Sequence, residues 1–213
     1  MSNEYSGLEN RIGYQFKDLA HLELAFTHSS VADNNNQRME FLGDAVLDMV
    51  VADYLYRRYP QADEGQLTTM RAQIVSRKPL CDLYEELQLS FHLQVFNLSK
   101  RNMSVKTRSD VVEALIAAIY LDGGVEPVRA FVERFICAAY HERVDYKSRM
   151  YEYAQSRGLH VLFETIDVGD EHKPFFESTL RIDGTVYGPG RGNSKKQAEQ
   201  AASRVAWEVL CIN

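Results

Sequence analysis

Carboxylates recur at helical spacing in QRMEFLGDAVLDMVVADYLY, a segment that is otherwise rich in apolar residues. An interval of four residues places successive acids on one face of a helix, about 6 Å apart along its axis. The acids at this interval are Glu40, Asp44 and Asp48. Like charges so placed destabilise a helix, so their presence favours a bound cation that neutralises them. Gly43 lies among them, and a glycine inside a helix indicates close approach of another backbone.

A second segment, SDVVEALIAAIYLDGG, has the same character. Asp110 and Glu113 are three residues apart and share a helix face, while most of their neighbours are apolar. Two acids on each of two helices predict one site of four carboxylates: Glu40, Asp44, Asp110 and Glu113. Such hard oxygen ligands suit Mg²⁺, with Mn²⁺ as a substitute, and a metal held there can activate water beside a phosphodiester. Taken alone, either segment is more typical of a helix with a solvated acidic face.

Helices must position these acids, and the first two-thirds of the chain is predicted to be helical. Apolar residues recur at helical spacing in five segments: 19–26, 40–56, 66–75, 110–121 and 128–140. Turn signals separate them at Tyr59-Pro60, at Gly123-Gly124 and along the polar stretch Ser99–Ser109. We therefore expect an all-α domain over residues 1–143.

The pattern changes after about residue 145, where a helix predicted to stop at Gly158 is followed by strands. The strand candidates are 162–168, 175–183 and 185–190. Asp183-Gly184 is a strong hairpin turn between the last two, and Ser194 caps a long final helix. The order α-β-β-β-α predicts a small α+β domain over residues 147–213, after a very short junction.

The net charge of −6 is distributed unevenly along the chain. Residues 1–146 carry 15 basic and 21 acidic residues and so account for all of it, whereas residues 147–213 carry nine of each. Phosphate binding depends on local basic clusters rather than on the total charge. An acidic first part fits a site that gathers divalent metal, although an ordinary soluble surface explains the charge as well.

Cysteine usage and hydropathy predict a reducing, cytoplasmic compartment and no membrane attachment. Cys81, Cys137 and Cys211 are far apart, and no metal-ligand spacing joins them. No apolar run approaches the roughly 18 residues that span a bilayer. The first residues lack the charged start and apolar core of a secretory signal.

The string EFLGDAVLD, within the first acidic segment, resembles the signature of the ribonuclease III family. Three further strings resemble that family in the same order: THSS (27–30), DEGQLTTMRA (63–72) and DVVEALIAAIYLD (110–122). The resemblance covers nearly the whole chain. It implies a dimeric, metal-dependent endonuclease that cuts double-stranded RNA with water as the nucleophile.

The resemblance also implies roles for individual residues. The metal-binding acids of the family correspond to Glu40, Asp44, Asp110 and Glu113, of which Asp44 and Glu113 match the two most essential for hydrolysis. Glu64 matches an acid that helps to organise the catalytic valley, although an acid favoured by the helix dipole explains it equally well. Gln37 stands where many members have Glu, but Dicer-type nuclease domains resemble this sequence with Gln there, so we expect activity.

Subunit association follows from the same resemblance. Phe41 is similar to the aromatic residue that inserts into the partner subunit, although an ordinary core position is the alternative. The family is a homodimer whose two sites each cut one strand and leave 5′-phosphates, 3′-hydroxyls and short 3′ overhangs. His28, in THSS, is expected to serve local packing and hydrogen bonding rather than catalysis.

Residues 147–213 resemble a double-stranded-RNA-binding domain, most closely in GPGRGNSKKQAEQAA. The glycines bring a loop close, Ser194 starts a helix, and Lys195 and Lys196 project from its positive end toward phosphates. Two lysines at a helix start are by themselves more typical of a solvated surface. The resemblance adds three contacts to RNA: Glu152, Gln155 and His172. Trp207 and Tyr153 are expected in the core.

The sequence thus predicts an endoribonuclease for double-stranded RNA, with a role in processing precursors of ribosomal and messenger RNA. The alternative is a non-catalytic relative that binds double-stranded RNA or the ribosome. Degenerate members of that kind normally lose some of the four acids, and all four are present here. A helical interaction module with an accessory α/β domain is the third alternative.

Overall fold

A computed structural model describes residues 4–60, 62–97, 99, 103–143, 145–169 and 174–210, without the side chains of 141–143. The chain divides into two units. One, here termed the helical unit, comprises Met1–Arg58 and Asp63–Glu142, and the other, termed the mixed unit, comprises Tyr59–Ala62 and Arg143–Asn213.

Helices account for the regular structure of the helical unit within the described residues. They are α1 (Ser6–Ile12), α2 (Leu19–Ala25), α3 (Gln37–Arg58), α4 (Glu64–Ile74), α5 (Arg77–Glu86), a 3₁₀ turn (Leu89–Phe91), α6 (Val105–Gly123), α7 (Val125–Val132), a π-helical turn (Glu133–Cys137) and α8 (Ala138–Arg143). The predicted turns at Tyr59-Pro60 and Gly123-Gly124 coincide with the ends of α3 and α6. Gly124 has φ +81°, a conformation in which side chains are strained.

Two helices were not predicted, and α6 begins five residues before the apolar segment 110–121 that predicted it. Helix α5 carries Pro79 at its third position, where a proline removes an N–H that has no intrahelical partner, so the residue is no helix breaker there. Helix α1 is short and was also missed. The stretch Ser99–Ser109 is not a loop throughout, because Val105–Ser109 belong to α6. Ser104 caps this start by accepting a hydrogen bond from the Thr107 backbone N–H.

Helix α6 is the central element of the helical unit. Its side chains from Ala114 to Ile119 are fully buried. Small residues on α6, including Ala114, Ala117 and Ala118, pack against Ala25 of α2 and Met39 of α3. Alanines at a helix contact let neighbouring backbones approach closely, and this packing sets the distance between the acid-bearing helices α3 and α6.

The acid at the other end of α6 has a structural role. The carboxylate of Asp122 accepts hydrogen bonds from the backbone N–H groups of Lys17 and Asp18 at 2.8–3.1 Å and from the Tyr14 hydroxyl at 2.5 Å. Burial has the largest single effect on the pKa of Asp122 and acts to raise it. Together, however, these hydrogen bonds lower the pKa below its usual value. Asp122 therefore anchors the segment before α2 to the end of α6 by hydrogen bonds, rather than contributing to the acidic site.

The mixed unit contains one antiparallel sheet and two helices. The elements are α9 (Tyr146–Arg157), β1 (Val161–Asp167), β2 (Phe176–Ile182), β3 (Thr185–Gly192) and α10 (Lys195–Leu210), and the strand order is β1-β2-β3. Asp183 and Gly184 both have positive φ, as the predicted two-residue hairpin requires. Gly158 ends α9 in the left-handed conformation. The predicted α-β-β-β-α order is confirmed.

One face of the sheet forms the core of the mixed unit with both helices. Met150 of α9, Leu180 and Ile182 of β2, and Ala202 and Ala206 of α10 are its buried residues. Tyr153 and Trp207 are half-buried and pack against this cluster, which agrees with the expectation for them.

None of the helices in the described part of the chain is long and apolar enough to cross a membrane.

Candidate metal centre and nucleic-acid interface

Helices α3 and α6 cross at Gly43, where their backbones touch. A Cβ atom built on Gly43 would lie 1.8 Å from the backbone oxygen of Glu113 and 2.5 Å from its carbonyl carbon. Real Cβ atoms essentially never approach another heavy atom this closely. The glycine in the signature string therefore permits the crossing that brings the two acidic segments together, as its position in the sequence indicated.

Three carboxylates from these two helices converge beside the crossing. Glu40 of α3, with Asp110 and Glu113 of α6, each offers an oxygen within 4.8 Å of the others. All three are half-buried. Asp44, one turn after Glu40, is exposed and lies outside this group. The predicted four-carboxylate site is thus a cluster of three with Asp44 beside it, and we call Glu40, Asp110 and Glu113 the acidic triad.

The electrostatics of the acidic triad favour a cation. The pKa of Glu113 is raised from 4.5 to about 8, first by burial and then by the nearby charges of Asp44, Asp110 and Glu40 in that order. Burial also raises the pKa of Asp110, against a hydrogen bond from Lys106 that lowers it. A divalent metal would relieve the repulsion that these groups share, so the donor set fits Mg²⁺ or Mn²⁺.

Lys106 is the functional candidate that the sequence did not reveal. Its Nζ donates to Asp110 Oδ2 at 2.7 Å and to Glu40 Oε1 at 3.0 Å. The hydrogen bond to Asp110, then that to Glu40, raises the pKa of Lys106. The prediction failed here because the polar stretch around Lys106 was read as a loop. The interval of four residues between Lys106 and Asp110 is typical of a helical ion pair and could have indicated this contact.

The two predicted supporting residues, Glu64 and Gln37, are exposed at the starts of their helices. Glu64 is the first residue of α4 and is exposed, and its Oε1 accepts a hydrogen bond from the Thr68 hydroxyl at 3.0 Å. Asp63 and Gln66 form a capping box on either side of it, so the helix-dipole explanation of Glu64 remains open. Gln37 is exposed at the start of α3, where its backbone N–H donates to Asn35 Oδ1 at 3.1 Å.

The THSS string holds a loop in place. The His28 Nδ1 atom lies 3.0 Å from the Ser30 hydroxyl and accepts a hydrogen bond from the Ser30 backbone N–H at 3.1 Å. The same hydroxyl accepts a hydrogen bond from the Phe96 backbone N–H. His28 therefore takes part in local hydrogen bonding, as expected.

Phe41 is not a core residue. Its side chain is 80% exposed on the outer face of α3. A groove of about 560 Å³ lies beside it, lined by Leu24, Asn34, Asn35, Gln37, Arg38, Met39, Phe41, Leu42 and Leu121. Met49 and Tyr56, farther along α3, are also largely exposed. An apolar stripe on one helix face, next to an apolar groove, is unusual for a surface that only meets water.

In the mixed unit, two glycines allow β3 to pack closely against the first half of α10. A Cβ on Gly190 would lie 2.0 Å from the Ala202 backbone nitrogen, and one on Gly192 would lie 2.5 Å from the Gln197 Cβ. The Ser194 hydroxyl caps α10 by accepting from the Gln197 backbone N–H at 3.2 Å. Lys195 and Lys196 are exposed in the first turn, where the helix dipole adds positive potential.

Two of the remaining predicted RNA contacts are on α9, and the third, His172, falls between β1 and β2 in the sequence. Glu152 and Gln155 are both exposed and three residues apart, so they share one face of α9. His172 lies outside the described residues. Of the exposed predicted contacts, only Lys195 and Lys196 carry the positive charge that attracts a phosphate backbone.

Family models match both units of the chain. A model described as Ribonuclease-III-like matches residues 18–140, and one described as double-stranded RNA binding motif matches residues 146–210. The first range includes the acidic triad, and the second includes the glycines and lysines at the start of α10.

Relatives match the chain over nearly its full length. Ribonuclease 3 of Listeria monocytogenes serotype 4a is 36% identical over 226 residues, which cover 98% of this chain and 98% of the relative. Ribonuclease 3 of Aliarcobacter butzleri is 35% identical over 220 residues, with the same coverage of both chains. A solved nuclease domain of ribonuclease III from Campylobacter jejuni has a TM-score of 0.60 at 36% identity and covers 62% of this chain and 96% of that one. It is described as flexible in a region involved in dimer formation.

Proposed function

The chain belongs to the ribonuclease III family, and on that premise we propose that it hydrolyses double-stranded RNA at a divalent-metal site formed by α3 and α6. Residues 1–143 form the nuclease domain and residues 147–213 the RNA-binding domain. The single observation that carries the proposal is the convergence of the acidic triad at the Gly43 crossing.

Glu40, Asp110 and Glu113 would hold Mg²⁺, or Mn²⁺ in its place. When bound, the metal supplies the positive charge that stabilises charge developing on the phosphate oxygens. Asp44 is exposed one turn after Glu40, and its charge acts on Glu113 more than that of any other acid, so Asp44 would complete the carboxylate set around the metal. Glu113, the most strongly perturbed of the acids, needs the metal to ionise fully at neutral pH. Gln37 and Glu64 would support the surrounding valley.

Water is the proposed nucleophile, and the bond between phosphorus and the 3′ oxygen is the one that breaks. The products then carry 5′-phosphate and 3′-hydroxyl ends. Two such sites, one on each strand of a duplex, would leave short 3′ overhangs. Precursors of ribosomal and messenger RNA are the proposed substrates in the cell. The proposed compartment is the cytoplasm, and the buried free thiols of Cys81 and Cys137 support a reducing environment.

The mixed unit would recognise the shape of the RNA duplex. Lys195 and Lys196 project from a capped helix start toward phosphates across the major groove, while Glu152 and Gln155 face the minor groove. His172, outside the described residues, is the third proposed contact with the minor groove. Such domains span about 16 base pairs and read little sequence, so the RNA-binding unit selects duplexes rather than particular sequences.

A homodimer is proposed because a surface for it is present on α3. Phe41 would insert into the apolar groove of the second copy, which is lined by Leu24, Met39, Leu42 and Leu121 in each copy. A two-fold interface is self-complementary, and a protruding aromatic beside a groove on the same face satisfies that requirement. The exposed side chains of Met49 and Tyr56 extend the same stripe.

Replacing Phe41 by Ala is expected to raise the dissociation constant of the dimer by about 1000-fold, because an interface aromatic is lost from both copies and each contributes roughly 2 kcal/mol. Sedimentation equilibrium over a concentration series would measure the shift. Phe91→Ala is the matched control, since Phe91 is 75% exposed and lies on the 3₁₀ turn away from the groove. An unchanged dissociation constant for Phe41→Ala would contradict this interface.

The catalytic proposal is tested with the purified full chain and a perfect RNA duplex longer than one RNA-binding site. We expect cleavage with Mg²⁺, none with EDTA, and restoration when excess Mg²⁺ is returned. Sequencing of the fragments is expected to show 5′-phosphates and staggered ends. Duplex binding without cleavage in Mg²⁺ and Mn²⁺ alike would instead identify a non-catalytic relative.

A further inference from the structure

Lys106 lies between two members of the acidic triad and joins the two helices that carry them. Its Nζ is 2.7 Å from Asp110 Oδ2, one turn along α6, and 3.0 Å from Glu40 Oε1 on α3. Its side chain is 58% exposed, whereas those of Glu40 and Asp110 are 27% and 17% exposed. The ammonium group thus reaches from solvent into the cluster of carboxylates.

The position of Lys106 in its helix is unfavourable for a cation. It is the second residue of α6, and the N-terminus of a helix carries partial positive charge, which favours acids and disfavours lysine. The two carboxylates offset this effect. Lys106 therefore occupies a helix position that is unfavourable for a lysine by itself but is favoured by the carboxylates of the acidic triad.

We infer that Lys106 is a built-in counter-ion of the metal-free site, which holds Glu40 and Asp110 together and must release them when a divalent metal binds. The inference rests on the proposed metal site. A carboxylate lone pair that accepts from the ammonium group is not available to a metal, and the positive charge of Lys106 repels a second cation. Lys106 is accordingly a positioning residue, which sets how tightly the empty site takes up metal.

The exposed position of Lys106 allows a divalent metal to displace its ammonium group from the carboxylates. Ion pairs of exposed lysines are weak, so a divalent ion with several carboxylate ligands can displace the ammonium group. The flexible four-carbon stem lets the displaced Nζ move into solvent without movement of α6. Once displaced, the charge stays near the site, where a phosphate of the RNA backbone can take the place of the carboxylates as its partner.

The test measures metal affinity without RNA. Mn²⁺ binding to the full chain is followed by calorimetry and by the electron paramagnetic resonance signal of free Mn²⁺, and thermal midpoints are recorded in EDTA. Lys106→Met keeps a side chain of similar length and removes the charge. We expect its Mn²⁺ dissociation constant to fall roughly tenfold, because a repelling charge and a competing donor are lost. Its thermal midpoint in EDTA should fall, because the carboxylates lose their counter-ion.

Two further variants separate this role from a general effect of charge. Lys106→Arg keeps the positive charge and is expected to bind Mn²⁺ as the wild type does. Lys78→Met removes the lysine of another ion pair at the same four-residue interval, Lys78 with Asp82 on α5, and should leave Mn²⁺ affinity unchanged. Unchanged or weaker Mn²⁺ binding by Lys106→Met overturns the inference. An Mn²⁺ affinity that rises as much in Lys106→Arg as in Lys106→Met overturns it as well.

Failure of the underlying metal proposal gives a different result. If the wild type binds no Mn²⁺ and its Glu113→Gln variant behaves identically, the metal site itself is wrong, and Lys106 has no ion with which to compete. If the wild type binds Mn²⁺ and loses binding in Glu113→Gln, the metal site stands, and the Lys106 variants alone decide the inference.

Discussion

Replacing Glu113 by Gln is expected to lower the rate of RNA cleavage on the order of 10³-fold or more while leaving duplex binding unchanged. The neutral amide keeps the shape of the side chain but removes one of three carboxylates that converge within 4.8 Å. Duplex binding is attributed to the other unit of the chain, so it should persist. Single-turnover cleavage with saturating Mg²⁺ measures the first effect, and a gel-shift titration at moderate salt measures the second.

The control for this variant is Glu126→Gln, which makes the same chemical change at a side chain on α7 that is 77% exposed. It should cleave at the wild-type rate. Cleavage by Glu113→Gln within a few-fold of wild type would remove Glu113 from the metal site and, with it, the assignment of the acidic triad.

The same variant should also change how stability depends on pH in metal-free protein. The pKa of Glu113 is raised from 4.5 to about 8 by burial first and then by its acidic neighbours. A carboxyl group whose pKa is higher in the folded state binds its proton more tightly there, so its stabilising effect is greatest below pH 4.5 and declines toward pH 8. Gln does not ionise. In EDTA, the thermal midpoint of Glu113→Gln relative to wild type should therefore rise across this interval.

Replacing Gly43 by Ala is expected to lower the free energy of unfolding by about 3 kcal/mol, the upper part of the range for overpacked sites, and to abolish metal-dependent cleavage. The added Cβ would lie 1.8 Å from the Glu113 backbone oxygen, and neither helix backbone can rotate away as a side chain can. The helices must separate, which pulls Glu40 away from Asp110 and Glu113. Urea denaturation followed by circular dichroism measures the first effect.

Gly7→Ala is the matched control for this change. Gly7 lies in α1, and its nearest contact for an added Cβ is the flexible end of Arg11 at 3.6 Å. Alanine has the higher helix propensity by roughly 0.5–1 kcal/mol, so Gly7→Ala should be neutral or stabilising. Equal or higher stability of Gly43→Ala would show that the two backbones do not touch at this crossing.

Local patterns in the sequence were sufficient for most of the fold. The hairpin at Asp183-Gly184, the stop at Gly158 and the cap at Ser194 each depend on a few neighbouring residues, and the structure has all three. The prediction failed where local signals conflict. Helix α5, which has Pro79 in its first turn, was not predicted, and the polar residues after Ser104 were taken as a turn signal although they begin α6.

For the site, the sequence determined which acids share a helix face, because that follows from a repeat of 3.6 residues within one element. It also indicated, through Gly43, that another backbone comes close. Only the tertiary structure decided that Glu40, Asp110 and Glu113 converge while Asp44 remains exposed beside them, and that Lys106 pairs with two of the three. Those outcomes depend on the angle and depth at which two helices pack, which arise from contacts between residues far apart in the chain.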